Sequence, residues 1–255
     1  PLRGAGEEPS CPPLSAMGDE VEKRKAQIKD IRTKIEEAKD AAEKKATFRD
    51  TNLDCAKSRL DFDVKKLDAA IKKNEALIKK LKLISSDNKD QVLTAIRTVN
   101  MSKFVSEAVD AVGECAMKGK DVPASVQVVS ALHLRYGTFT TGLQGRLSSF
   151  FVESKSKEGE TEGERKDRVT RRRTALRLVT ELFVAGVFTE GSVLGRALKE
   201  LVVQEKALTD GGATLSALLV AFVKYAGEDF LGIRPAWRVE VDDLIQADRK
   251  KASGG

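Results

Sequence analysis

Histidine is almost absent. His133 is the one imidazole in 255 residues, so no multi-histidine metal site can be built within this chain. A Ser-His-Asp or Cys-His site would have to rest on His133 alone. Its place beside Leu132 on an apolar helical stripe predicts packing or hydrogen bonding instead. Cysteine is scarce as well. Cys11, Cys55 and Cys115 are odd in number and form no CxxC pair, which speaks against a disulfide scaffold and for a reducing compartment. Cys115 stands among apolar residues and is expected to be a small core residue. Six prolines and 5% aromatics exclude a collagen-like chain and an aromatic-rich β-sandwich. Long apolar runs are missing: Leu215 to Val223 is interrupted by Ser216, followed by Lys224, and half as long as a membrane span requires. No membrane partner is expected. Pro1 to Met17 contains no apolar block of signal-peptide length, and an opening residue other than Met is read as the mark of a fragment or a processed form. Glycine-rich phosphate loops are also absent. Met117-Lys118-Gly119-Lys120 lacks their spacing, and no Lys-Ser or Lys-Thr follows Gly191 to Gly195. No cofactor, metal or catalytic residue is expected, and the chain reads as a non-enzyme.

What the chain has in abundance is charge of both signs. Charged residues make up 33%, with 45 Lys and Arg against 39 Asp and Glu, a net charge of +6. So mild an excess permits contact with RNA or an acidic partner without establishing it. A solvated face laced with ion pairs accounts for it equally well.

Along the chain, residues 1–18 are rich in Gly, Pro and Ser without periodicity and read as disordered. Residues 19–59 read as a charged helical arm and its connection. A thin stripe of Val21, Ile28, Ile31, Ile35, Ala38 and Ala42 runs to about Lys45, and polar residues break the pattern from Thr47 to Asn52. Helical spacing resumes with Val64, Leu67, Ile71, Ile78 and Leu81, and a shorter helix follows from Asp87 to Ile96. From Ser102 the chain becomes steadily apolar. Ser102 and Asp121 are candidate helix caps, Pro123 fits a first turn, and Gly119 and Gly137 read as stops. A further helix begins near Thr138. Residues 153–164 carry no apolar side chain and are expected to form an exposed loop. Further helices span Arg165 to Phe188, then the stretches around Leu194 to Val202 and Leu215 to Val223. The inward residues include Val109, Val129, Leu182 and Leu219. Residues 236–255 hold a short amphipathic helix, with Trp237, Val241, Leu244 and Ile245, and a flexible tail. No period-2 strand is convincing. The expected class is all-α, with stacked antiparallel helix pairs over residues 60–235. Periodicity alone does not separate a solenoid from a bundle.

Four blocks carry a resemblance. They are Leu67-Asp68-Ala69-Ala70-Ile71-Lys72-Lys73-Asn74 with Ile78-Lys79-Lys80-Leu81-Lys82, then Val99 to Val109, then Leu132-His133-Leu134-Arg135-Tyr136, and finally Glu228 to Pro235. In order and spacing they resemble the first middle domain of the up-frameshift 2 family. The family usually has Leu where Met101 stands and Gln where Leu134 stands. The parent fold is the middle domain of translation initiation factor 4G, a HEAT-like stack of antiparallel helix pairs. The resemblance covers about Leu60 to Pro235. It implies a protein-interaction scaffold of nonsense-mediated mRNA decay, cytoplasmic and perinuclear, that joins other up-frameshift proteins and decay factors on mRNA through the full-length protein. The family's partner-binding regions lie in other domains, so no binding residue is carried over.

The basic clusters are the sharpest candidates for a site. Arg168, Arg171 and Arg172 share a helix face at i, i+3 and i+4. Lys72, Lys73, Lys79 and Lys80 form a second cluster. Both are candidate contacts for RNA phosphates or an acidic partner, which need positive charge more than fixed geometry; the other reading is a solvated face with ion pairs to neighbouring acids. No aromatic residue interleaves with them, so base stacking is not supported. The alternative to a decay scaffold is a general RNA-binding helical domain acting through these faces.

Overall fold

A computed structural model of the chain describes residues 14–57, 66–115, 117–152, 161–207, 213–234, 238, 239, 241, 243 and 246. Nine α-helices are named among them: α1 Leu14–Lys57, α2 Ile71–Leu81, α3 Lys89–Thr98, α4 Val105–Glu114, α5 Val122–Arg135, α6 Gly137–Ser148, α7 Glu162–Val184, α8 Ser192–Ala207 and α9 Ala213–Leu231. The described residues include no strand, only one isolated parallel bridge between Asp68 and Val99. The chain divides into two units. One comprises residues 1–45 and 240–255, and the other, residues 46–239, holds α2 to α9 and the last turns of α1.

Within the larger unit the contacts skip one helix at a time. α2 packs on α4, α4 on α6 and α6 on α8, while α3 packs on α5, α5 on α7 and α7 on α9. Even-numbered helices therefore form one layer and odd-numbered helices the other. Rungs between α2 and α3, α5 and α6, α7 and α8, and α8 and α9 tie the layers together. This is the arrangement of a solenoid, in which each hairpin touches its neighbours.

The core lies between the layers. Val109 and Val112 of α4, Val129 and Leu132 of α5, Phe139 and Leu143 of α6, and Val179 and Leu182 of α7 belong to one continuous buried cluster. Full burial of such a side chain contributes about 1.5–3 kcal/mol. At the last hairpin Leu218, not Leu219, enters the cluster; Leu219 is half-buried. Val202 of α8 and Val223 of α9 are exposed, each on the side of its helix turned away from the core cluster.

Helix ends follow local chemistry. Thr161 and Glu164 form a capping box, the Thr161 hydroxyl accepting from the Glu164 amide at 3.3 Å while the Thr161 amide donates to Glu164 Oε2 at 2.9 Å. α7 therefore starts inside the expected loop; residues 153–160 of that loop lie outside the described residues. Residues 14–18, expected to be disordered, open α1, and residues 1–13 lie outside the described residues. Asp121 occupies the N-cap position of α5 but does not cap it. Its carboxylate accepts from the Ser86 amide at 3.0 Å and the Ser86 hydroxyl at 3.3 Å, holding the α2–α3 turn. Ser102 is not a cap either, since Phe104 occupies the N-cap position of α4.

The expected break at Thr47 to Asn52 does not exist; α1 runs through it to Lys57. The stretch contains no Gly or Pro, and its polar side chains dock on the end of α7. That helix closes in a Schellman turn, with Gly186 at φ +77°, Gly186 N–H donating to Phe183 O and Val187 N–H to Leu182 O. Side chains of α1 also donate to the carbonyls at this end, including those of Val184 and Ala185. Arg49 Nη1 donates to Phe183 O and Val184 O, each at 2.8 Å, and Asn52 Nδ2 to Ala185 O at 2.8 Å. Asn52 is fully buried, and its Oδ1 accepts from the Ser130 hydroxyl at 2.7 Å.

Candidate nucleic-acid and partner interface

α2 is short and amphipathic. Asn74, Leu77 and Leu81 are buried, which leaves Lys72, Lys73, Lys79 and Lys80 on the exposed side. The pairs 72/73 and 79/80 are separated by two turns, about 10 Å along the axis. Lys73 is partnered: its ammonium donates to Asp68 Oδ2. That bond, together with the Ala70 amide, holds the Asp68 carboxyl below its ordinary range. Lys72, Lys79 and Lys80 are exposed and make no ion pair among the described residues.

The α7 arginines do not act as one set. Arg172 is only 7% exposed and its Nε donates to the Phe150 carbonyl at 3.1 Å, so it is withdrawn from any phosphate. The reason is its register: Leu176 and Val179 follow at i+4 and i+7, so Arg172 continues the buried row. Arg168 is half-buried and has partners of its own. Arg171 is exposed and falls on another row, with Asp167, Thr174 and Leu178. The structure thus sets the two expected clusters on different helix pairs and leaves Lys72, Lys79, Lys80 and Arg171 as the available cations among the seven expected.

His133 is buried, as its apolar neighbours predict. Nδ1 lies 2.7 Å from Thr140 Oγ1, and Nε2 lies 3.2 Å from the Asn52 carbonyl, which can only accept. Nε2 therefore carries the proton in this pair, and the ring ties α5 to α1 and α6. The block that holds His133 also meets the Val99–Val109 block. The Met101 amide donates to Tyr136 Oη at 3.0 Å, and Arg135 Nη2 donates to the Arg97 carbonyl at 3.3 Å at the end of α3. These side chains hold hairpins together.

The sequence reading missed a cavity of about 560 Å³ lined by α4, α6, α7 and the turn after α4. Arg171 stands at its rim with Lys118 and Arg146, and Cys115 is in its wall. Burial pushes the Cys115 thiol up from its ordinary range. The one trace in the sequence is Gly113, whose missing side chain leaves room for Arg146: a Cβ there would collide with Arg146 Cγ.

Two layers of hairpins with this connectivity match solved structures. The structure of the first MIF4G domain of human nonsense-mediated decay factor UPF2 superposes with a TM-score of 0.70 at 26% identity, over 86% of this chain and 68% of that one. This chain has a MIF4G-type fold, similar to the first such domain of UPF2. The N-terminal MIF4G domain of Saccharomyces cerevisiae Upf2 gives a TM-score of 0.61 at 27% identity, over 72% of this chain and 66% of that one. In sequence, the regulator of nonsense transcripts UPF2 of Arabidopsis thaliana is 34% identical over 239 residues, 92% of this chain and 20% of the relative. Human regulator of nonsense transcripts 2 is 30% identical over 158 residues, 61% of this chain and 12% of the relative. The chain thus spans at most about a fifth of the length of these UPF2 relatives. No family model matches.

Proposed function

We propose that this MIF4G-type domain is a non-catalytic protein-interaction scaffold of nonsense-mediated mRNA decay, working in the cytoplasm within a longer protein. The observation that carries the reading is the 34% identity to a UPF2 over 92% of the chain, on a fold whose family-like blocks hold hairpins together. In this reading the full-length protein brings other up-frameshift proteins and decay factors together on mRNA, and the domain supplies rigid docking faces. The test is co-precipitation of the other up-frameshift proteins with the full-length protein after nuclease treatment. Association should survive loss of RNA, and a transcript with a premature stop should be stabilised when residues 46–239 are deleted. A transcript that decays normally without this unit would overturn the reading.

A second reading, direct RNA binding, is favoured by the exposed Lys72, Lys79 and Lys80 on α2. If these lysines contact phosphates, K72E/K79E/K80E should weaken binding to single-stranded RNA of any sequence. The salt slope should flatten by about 0.7 for each phosphate no longer neutralised. An unchanged affinity and slope would leave these lysines as solvated charge.

A further inference from the structure

The cavity beside Arg171 is built from parts that the scaffold and RNA-binding readings do not use. Its floor is apolar, with Val112 of α4, Met117 of the following turn, Leu147 of α6 and Leu178 of α7. Its shape is held by groups that are already engaged. Arg177 Nη1 donates to the Gly119 carbonyl at 2.8 Å, while Arg177 Nε pairs with Glu181 at 2.7 Å, which fixes the 117–119 turn against α7. Arg146 runs across Gly113, pairs with Glu114 at 3.3 Å and Asp110 at 3.9 Å, and places its guanidinium over the Phe150 ring, 5.7 Å from the centroid. A volume of about 560 Å³ is in the range of preformed ligand sites.

The rim decides what kind of ligand fits. Glu114 is neutralised by Arg146, with Lys82 also at 4.0 Å. Arg171 and Lys118 are exposed at the mouth and make no ion pair among the described residues, and Lys120 is exposed two residues further on. Besides Glu114, the lining residues include one acid, Asp167 of α7. The mouth therefore attracts carboxylates while the floor attracts an aliphatic or aromatic side chain. Phe150 is the one aromatic residue among the lining residues, and one face of its ring carries the Arg146 guanidinium in place of a nucleobase.

We propose that this cavity docks a short acidic peptide of a partner protein: one large apolar side chain fills the floor, and a neighbouring Asp or Glu meets Arg171 and Lys118. The inference deepens the scaffold reading and rests on it, since a docking cavity needs a protein partner. The two fail separately, because peptide binding is measured on the purified chain without any decay reaction.

The probes are fluorescein-labelled twelve-residue peptides carrying one Phe or Leu flanked by Asp and Glu. Controls replace the acids by Lys or the apolar residue by Ala, and a uridine dodecamer serves as the RNA arm. Saturable binding of the acidic apolar peptides to the 255-residue chain is expected. Arg171→Glu should raise Kd about tenfold, since it reverses a charge at the contact. Thr174→Phe should do the same by filling the cavity, and K72E/K79E/K80E on α2 should leave Kd unchanged. Bound peptide should protect Cys115 from N-ethylmaleimide, read by mass spectrometry against Cys55. Arg171 is exposed, so Arg171→Glu keeps the fold, and its circular dichroism melt checks this. Three results overturn the proposal: no saturable peptide binding, a Kd indifferent to Arg171→Glu, or displacement of peptide by the uridine dodecamer.

Discussion

Replacing Asn52 by Ala removes the side chain that joins three helices. Asn52 is fully buried; its Nδ2 donates to Ala185 O at the end of α7, and its Oδ1 accepts from Ser130 Oγ on α5. Truncation strands both partners. A buried polar group left without its hydrogen bond costs about 1–3 kcal/mol. Ser130 recovers part of this by turning its hydroxyl to the carbonyl four residues earlier, an option open to any helical serine. The Ala185 carbonyl has no such recourse, because it ends its helix. Together the loss is about 2–4 kcal/mol, which for a unit of this size lowers Tm by roughly 4–16 °C. Differential scanning calorimetry of the parent, Asn52→Ala, Ser130→Ala and the double variant measures it. The double variant should be more stable than the sum of the single effects implies, by about 1 kcal/mol, because the stranded hydroxyl is gone as well. A single variant that melts within a degree of the parent, or a cycle with no coupling, would refute the argument that α1 is anchored here.

Gly186→Ala forces a side chain into the left-handed region, which costs about 1–2 kcal/mol. It also places Cβ 2.9 Å from the Arg49 carbonyl, so the urea midpoint should fall by more than the backbone cost alone. Val109→Asp puts a charge without a partner into the α4–α6 contact and should cost about 3–5 kcal/mol; a melt like the parent's would show that α4 is misoriented. Cys115 should react slowly with iodoacetamide at neutral pH and fast in urea, since burial keeps its thiol protonated. With the folded value above 9.0, this group's contribution to stability is complete below pH 9.0 and is lost as pH rises through the folded value. Asp68 works in the opposite direction. Its folded value lies below 3.8, so its contribution is present above that pH and is lost on acidification. Lys73→Ala should diminish that acid-side effect and leave the part due to the Ala70 amide.

Much of the hairpin stack was legible because the relevant signals are local. Helical spacing of apolar residues and the Gly and Pro punctuation between Ser102 and Gly232 mark α4 to α9 in outline. The missed features depend on groups far apart in the chain. Thr47 to Asn52 looks like a break because its polar side chains have partners at the end of α7, more than 130 residues away. Arg172 is the exception: it looks like its exposed neighbour Arg171, but the local register of Leu176 and Val179 already puts it on the buried row. Asp121 carries the right residue type for a cap, yet Ser86 of the distant α2–α3 turn takes its carboxylate. The cavity combines three helices and a turn, and Gly113 alone does not announce it. The family-like blocks were informative for a physical reason: Tyr136, Arg135 and His133 each close a contact between hairpins, so their types are set by the stack.

The anchoring of α1 on α7 also sets an order of events during synthesis. Residues 46–57 emerge early, but the carbonyls that Arg49 and Asn52 bind belong to residues 183–185. At roughly 5–20 residues per second, about 7–27 s pass before those acceptors have been made. Hairpins α2 to α6 can stack on one another meanwhile, because their contacts join near neighbours in the chain. The start of the unit is therefore among the last parts to settle. Until then α5 alone can hold the segment, through Ser130 and His133 on Asn52, while Arg49 and the Asn52 amide nitrogen wait for their acceptors on α7.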